Sequence, residues 1–339
     1  MLVARLHGVA DLRIADEPLP VPVAGAGMSL VRMTAVGICG SDLHWWAEAG
    51  IGDALLDRPL VPGHEAAGVI EGGPRHGERV AIDPAIPCGT CPSCLRGYRN
   101  LCVNIVFAGH GSQDGAMREY LAWPSHLLHP LPDSLTDANG ALLEPLGVAI
   151  HAADLGHLKL AGSAAVAGCG PIGLLLIQVL RAAGAGQVLA FDPLPHRRQA
   201  ALRLGADLAV DPRSAGDSLQ AADLADLAEG GVDVAFEMAG TDAAVDLAVS
   251  AVRPGGRVVL GGIPDNDRTS FPSSVARRKG LTMALVRRMN DVYPRAISLA
   301  AARRVDLAIV SDRFGLAQAS EAFTLAASRP GLKIIVENR

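Results

Sequence analysis

The chain has 339 residues, half of them hydrophobic and 19% charged, and 30 Lys and Arg against 35 Asp and Glu give a formal charge of -5. That length implies two domains with sizeable cores, and the composition excludes intrinsic disorder. Mild acidity with 4% aromatic residues leaves neither a basic stripe nor many stacking platforms, which disfavours nucleic-acid binding.

The opening Met1-Leu2-Val3-Ala4-Arg5-Leu6-His7 lacks the apolar core of a signal peptide and the Arg/Ser bias of a transit peptide. A cytoplasmic, reducing location is therefore expected, where six cysteines suit metal better than disulfides. The first roughly 145 residues read as β-rich, with strands expected over Ser29 to Val36, Ala67 to Ile70 and Glu78 to Ile82 between Gly and Pro breaks.

Two groups of metal-ligand residues lie within this β-rich part. Cys39, in Gly37-Ile38-Cys39-Gly40-Ser41-Asp42-Leu43-His44, and the pair His64-Glu65 supply a thiolate, an imidazole and a carboxylate. Such a set can hold a catalytic zinc with one position left for water or substrate. Each part alone reads equally well as a core thiol, a satisfied histidine or a turn. Cys88, Cys91, Cys94 and Cys102 are more specific. Four thiolates this close complete a tetrahedral shell and leave no open position, so a structural zinc is expected rather than a redox pair or free thiols.

After Leu146 short apolar strands alternate with Ala/Leu/Arg helices. The expected series is Ser163–Ala167, Pro171–Ala183, Gln187–Asp192, His196–Leu204, Asp207–Val210, Val232–Glu237, Asp242–Val252, Arg257–Leu260 and Leu281–Val286. This alternation predicts a doubly wound parallel sheet of about six strands. The uncharged stretch from Leu160 to Leu180 is long enough to imitate a membrane span. Gly168, Gly170, Pro171 and Gly173 break it into strand, turn and helix, so no membrane segment is expected. From Arg295 the tail adds a helix or two and then a strand, Leu332–Glu337, which needs a partner in the first domain.

Gly168-Cys169-Gly170-Pro171-Ile172-Gly173 follows a strand and opens a helix. In that setting the glycines permit the turn, the approach of a pyrophosphate and close helix packing, and the phosphates meet the helix N-terminus. Asp192, at the end of the next strand, can accept hydrogen bonds from an adenosine ribose or cap the following helix. Its charge favours NAD over NADP, although Arg197 and Arg198 could serve a 2′-phosphate. Arg197 could also touch the ribose hydroxyls, and Cys169 reads as a small buried residue.

At these residues the chain resembles the zinc-dependent medium-chain dehydrogenases, nearer the polyol and L-idonate 5-dehydrogenase branch than the simple alcohol dehydrogenases. The likeness covers essentially the whole chain and rests on the Cys39 segment, Gly63-His64-Glu65-Ala66-Ala67-Gly68, the four-cysteine lobe, Glu144-Pro145-Leu146-Gly147-Val148-Ala149-Ile150-His151 and the glycine fingerprint. It implies an α/β fold in which a discontinuous GroES-like β-rich catalytic domain, residues 1–147 and 288–339, accompanies a Rossmann NAD-binding domain, residues 148–287. It also implies two zinc ions per chain and a homo-oligomer, tetramer or dimer. Cys39, His64 and Glu65 match the catalytic zinc ligands, and Glu144 matches a carboxylate that ligates directly or holds a zinc-bound water. Ser41 and His44 match a proton relay, Trp45 an aromatic wall of the substrate pocket, and Arg287 or Arg288 an arginine on polyol hydroxyls. Gly168, Gly170, Pro171, Ile172, Gly173, Asp192 and Arg197 fall to the cofactor.

The chain departs from the family's pattern in a shorter Gly68 to Gly77 segment, an extra residue before Tyr293-Pro294 and a compressed loop from Phe107 to Gly115. In that loop His110 is unfamiliar and reads as a solvated residue. The implied chemistry is hydride transfer between a secondary alcohol of a polyol or sugar acid and NAD, the proton leaving through Ser41 and His44. L-threonine 3-dehydrogenase, aminocyclitol dehydrogenase and a non-catalytic cofactor-binding relative remain as alternatives.

Overall fold

The computed structural model describes residues 1–22, 27–213, 230–265 and 267–338. The chain divides into two compact units, one made of Met1–Glu144, Asn290–Ala301 and Leu307–Arg339, the other of Pro145–Met289 and Ala302–Asp306. Gln178 explains why the last short stretch belongs to the second unit. Its amide donates to the Asp306 carbonyl at 3.0 Å and accepts the Asp306 N–H at 2.6 Å.

In the first unit the ten-residue strand Met28–Gly37 is long enough to serve three partners in a seven-stranded sheet. Glu65–Glu71 pairs antiparallel along one side. On the other side Tyr120–Pro124 takes the first half and Lys333–Glu337 the last three residues. The tail strand therefore returns to the first domain, as its need for a partner implied. A strand not anticipated from sequence, Val310–Gly315, lies parallel to it at the sheet edge. Side chains of alternating strand positions, Val31 and Met33 among them, join Trp45, Trp123 and Phe323 in one buried cluster.

In the second unit Ser163–Ala167, Gln187–Phe191, Leu208–Val210, Val232–Glu237, Val252–Leu260 and Thr282–Leu285 form an all-parallel sheet of six described strands. Numbered along this domain, the spatial order is 3-2-1-4-5-6, so the topological switch falls between Ser163–Ala167 and Val232–Glu237. The helix Pro171–Ala182 has Pro at its start, where the missing N–H costs nothing, and Leu174 to Leu180 are all buried. Gly184, at φ +91°, follows its C-cap Ala183. Among the described residues no helix is long and apolar enough to cross a membrane. The strand expected from Arg257 begins earlier, at Val252, because Val252 pairs with Val232 before a register shift at the Pro254-Gly255-Gly256 bend.

Candidate active site and cofactor crevice

Two paired strands of the first unit carry the candidate catalytic metal group. Cys39 stands two residues past Met28–Gly37, His64 just before Glu65–Glu71, and Glu65 at its first position. The register sets Gly37 opposite both Glu65 and Ile335. A Cβ at Gly37 would collide with Glu65 Oε2 and reach 3.0 Å from Lys333 Cε, so glycine is what lets these side chains cross.

The ligand atoms of Cys39, His64 and Glu65 all lie within 4.8 Å of one another. Cys39 is the N-cap of helix Gly40–Glu48, and its N–H donates to Asp42 Oδ2 at 2.9 Å. The other Asp42 oxygen accepts Gly63 N–H at 3.1 Å and lies 3.5 Å from His64 Nδ1. Asp42, fully buried, thus fixes the ring and leaves Nε2 for a metal. Burial disfavours a charged His64, but Asp42 and Cys39 outweigh it and hold the imidazole pKa well above its usual value. Glu65 is buried and ion-paired with buried Lys333, whose ammonium also donates to the Ile38 carbonyl at 2.8 Å. A thiolate, an imidazole and a carboxylate, converging with one coordination position to spare, fit a zinc ion. Sequence reasoning missed Asp42 and Lys333. Asp42 was visible within the cysteine segment, whereas the only signal for Lys333 was a lysine opening an apolar strand.

Ser41 Oγ lies 3.4 Å from His64 Nε2, and His44 is one turn further along the same helix, 3.2 Å from Glu48 Oε1. Glu144 is buried in the first turn of helix Leu143–Gly156. It is not among the three converging ligands, yet it feels His64, Glu65 and Lys333. Burial pushes its carboxyl up to about 7; His64 and Lys333 oppose the rise and Glu65 adds to it. Trp45 is 1% exposed, so its ring is packed in the core rather than lining an open wall. His110 is not the solvated residue expected from sequence. It meets Trp45 edge-on at 5.3 Å and Phe107 at 6.4 Å, and Phe107 in turn lies 5.2 Å from the His64 ring.

Cys88, Cys91, Cys94 and Cys102 bring four sulfurs within 4.8 Å of one another, with no disulfide. Backbone N–H groups of Thr90 and Cys91 draw the Cys88 thiol down to about 5, whereas burial and the neighbouring cysteines push the Cys94 thiol up to about 12. The Cys91 N–H donates to Cys88 Sγ at 3.4 Å. Asn290 clamps the lobe, accepting Arg99 N–H at 3.1 Å and donating to the Gly97 carbonyl at 3.0 Å. The set fits a closed zinc site.

In the second unit Gly168 adopts φ +101°, and a Cβ at Gly173 would collide with the Gly168 carbonyl. At Gly170, by contrast, a Cβ would meet nothing nearer than Arg197 Nη1 at 3.9 Å, so the helix N-terminus is open to a phosphate. Asp192 accepts Cys169 N–H and Leu194 N–H, both at 2.8 Å. It does not cap the next helix, which starts at Pro195 with Leu194 as its N-cap. Arg197 Nη1 lies 3.9 Å from Asp192 Oδ2, and Arg198 donates to the Asp192 carbonyl at 2.8 Å. Burial raises the Cys169 thiol to about 12, which removes it as a nucleophile. Arg287 is exposed and Arg288 half-buried, just past the last strand of the sheet.

Residues 171–302 match the family described as zinc-binding dehydrogenase, and residues 25–133 the alcohol dehydrogenase GroES-like domain. Sorbitol dehydrogenase of Bacillus subtilis is 33% identical over 333 residues, 96% of this chain and 93% of that protein. The chain is a zinc-dependent medium-chain dehydrogenase of the polyol branch. L-idonate 5-dehydrogenase from Escherichia coli superposes with a TM-score of 0.90 at 26% identity, covering 99% of this chain and 97% of that one. A Sinorhizobium meliloti structure with NADP bound gives 0.88 at 30% identity, covering 99% and 98%. As an oxidoreductase of this family the protein uses zinc and a nicotinamide cofactor, and the non-catalytic alternative falls.

Proposed function

We propose that the protein oxidises a secondary alcohol of a polyol or sugar acid, reversibly, with NAD. The observation that carries this reading is the convergence of Cys39, His64 and Glu65 beside Ser41, in a chain whose second unit carries a dinucleotide crevice. The relatives named for sorbitol and L-idonate support the substrate class.

When bound, zinc would supply Lewis acidity and the nicotinamide a hydride acceptor. Cys39, His64 and Glu65 hold the metal, with Asp42 orienting the imidazole and Lys333 balancing the carboxylate. Ser41 receives the hydroxyl proton and His44 passes it outward, with Glu48 steadying the His44 ring. Glu144, beside the three ligands, would hold or release a proton next to the metal, and buried Trp45 would act indirectly, by backing His110 at the substrate's side. Arg287 or Arg288 meets the distal hydroxyls. In the lobe Cys88, Cys91, Cys94 and Cys102 hold a second, structural zinc. Asp192 receives the ribose hydroxyls and repels a 2′-phosphate, so NAD is preferred, with Arg197 at the same ribose. Six free cysteines accord with a cytoplasmic location.

Initial rates across polyols, aldonates, simple alkanols and L-threonine, each with NAD and NADP, test the reading. Polyols or aldonates with NAD are expected to lead. A preference for L-threonine, or for NADP by a wide margin, would overturn the substrate or the cofactor part respectively.

A further inference from the structure

Glu237 ends the strand Val232–Glu237, beside the topological switch, and is 1% exposed. A carboxylate so placed must find several donors or stay neutral. It finds them in two different loops. Its Oε1 accepts N–H from Ala239 and Gly240, both at 2.7 Å, in the loop that follows its own strand. Its Oε2 accepts N–H from Gly262 at 3.2 Å, in the loop that follows the neighbouring strand Val252–Leu260. Its main-chain carbonyl takes Gly261 N–H at 2.8 Å as well.

The two loops meet backbone to backbone around this carboxylate. A Cβ at Gly262 would lie 2.6 Å from Gly240 Cα and 2.7 Å from Glu237 Oε2, and Gly240 itself sits at φ +74°. On its other flank the first loop rests against the fingerprint, since a Cβ at Gly168 would lie 2.8 Å from Ala239 N. The Met238 N–H also donates to the Ala167 carbonyl at 2.7 Å.

A dinucleotide lies across the switch point at the carboxyl ends of the strands. Asp192 marks the adenosine half, on the side of Gln187–Phe191, and the helix starting at Pro171 takes the pyrophosphate. The loops joined by Glu237 lie on the opposite side of the switch, where the second mononucleotide must rest. We propose that Glu237 is a positioning residue for the nicotinamide half of the cofactor, fixing the height of the two loops that support it. This rests on reading the second unit as a dinucleotide site.

Two variants perturb the hub differently. Glu237→Gln replaces one acceptor by an amide that faces an N–H donor. Gly262→Ala drives a methyl between the loops and leaves the carboxylate intact. Equilibrium binding of NADH, followed by nicotinamide fluorescence, is compared with binding of 5′-AMP, which occupies only the adenosine half. Both variants are expected to weaken NADH about tenfold or more while 5′-AMP stays within about twofold. Equal weakening of NADH and 5′-AMP would mean a merely structural carboxylate, and unchanged binding of both would mean no role; either overturns the proposal. If the parent protein binds neither ligand, the dinucleotide reading itself fails and takes the proposal with it.

Discussion

Glu144, buried, and Asp83, half-buried, are two carboxyls of the first unit whose environments raise their pKa, and they call for opposite experiments. Glu144 sits where a helix-start carboxylate would stabilise its helix by about 0.3–1 kcal/mol. Its neighbours His64, Glu65 and Lys333 instead mark it as part of the metal surroundings. Glu144→Gln keeps size and hydrogen bonding, so the melting temperature should barely change while turnover or zinc retention falls about tenfold or more. Full turnover at full zinc would leave Glu144 with the helix role alone. Asp83 is held up to about 6 by burial, against the Ala85 N–H and Arg99. Below its unfolded pKa, about 4, it is protonated folded or unfolded and contributes nothing. As pH rises through the window up to about 6, the unfolded chain releases the proton first and stability falls. Asp83→Asn, which keeps the acceptor for Ala85, should therefore raise stability at pH 7.5, by at most about 3 kcal/mol, and leave it unchanged near pH 4. Thermal melts at the two pH values check this, and equal effects at both would refute the buried-acid reading.

Strand pairing brings the metal group together, and strand pairing is what the sequence shows least directly. Cys39, His64 and Glu65 were legible because each lies in a short segment whose residue types announce ligands. The four-cysteine lobe was more legible still. Lys333 was not, because its partnership with Glu65 depends on the register that sets Ile335 and Glu65 on opposite sides of Gly37. His110 was misread for a similar reason: its neighbours Trp45 and Phe107 come from a helix and a short strand distant from each other in the chain. The parallel sheet was easier, since local alternation of strand and helix sets its order, and Ser163–Ala167 and Val232–Glu237 fall where expected. The Val252 extension escaped because Pro254, Gly255 and Gly256 read as a break. The C-terminal strand makes its own prediction. Lys333→Met leaves the Glu65 carboxylate buried without its cation, a loss of about 3–5 kcal/mol when nothing replaces it. Zinc would replace it, so melts should show a clearly larger loss in zinc-stripped protein than in loaded protein. An equal loss in both would remove Glu65 from the ligands.

At the level of the whole molecule, one chain carries an open three-ligand group, a closed four-cysteine group and a dinucleotide crevice. The two metal groups differ in the property that governs lability. Cys39, His64 and Glu65 leave a position for water or a chelator, whereas four thiolates clamped through Asn290 leave none. Turnover at the first ion, with the second holding only shape, is tested most directly by counting zinc during stepwise chelation while following NADH formation on a polyol and the thermal melt. The first equivalent removed should abolish turnover, leave the melt of the four-cysteine lobe in place, and restore turnover when one equivalent of zinc is returned. Turnover that survives loss of that equivalent, or departure of both ions in one step with unfolding, would contradict it.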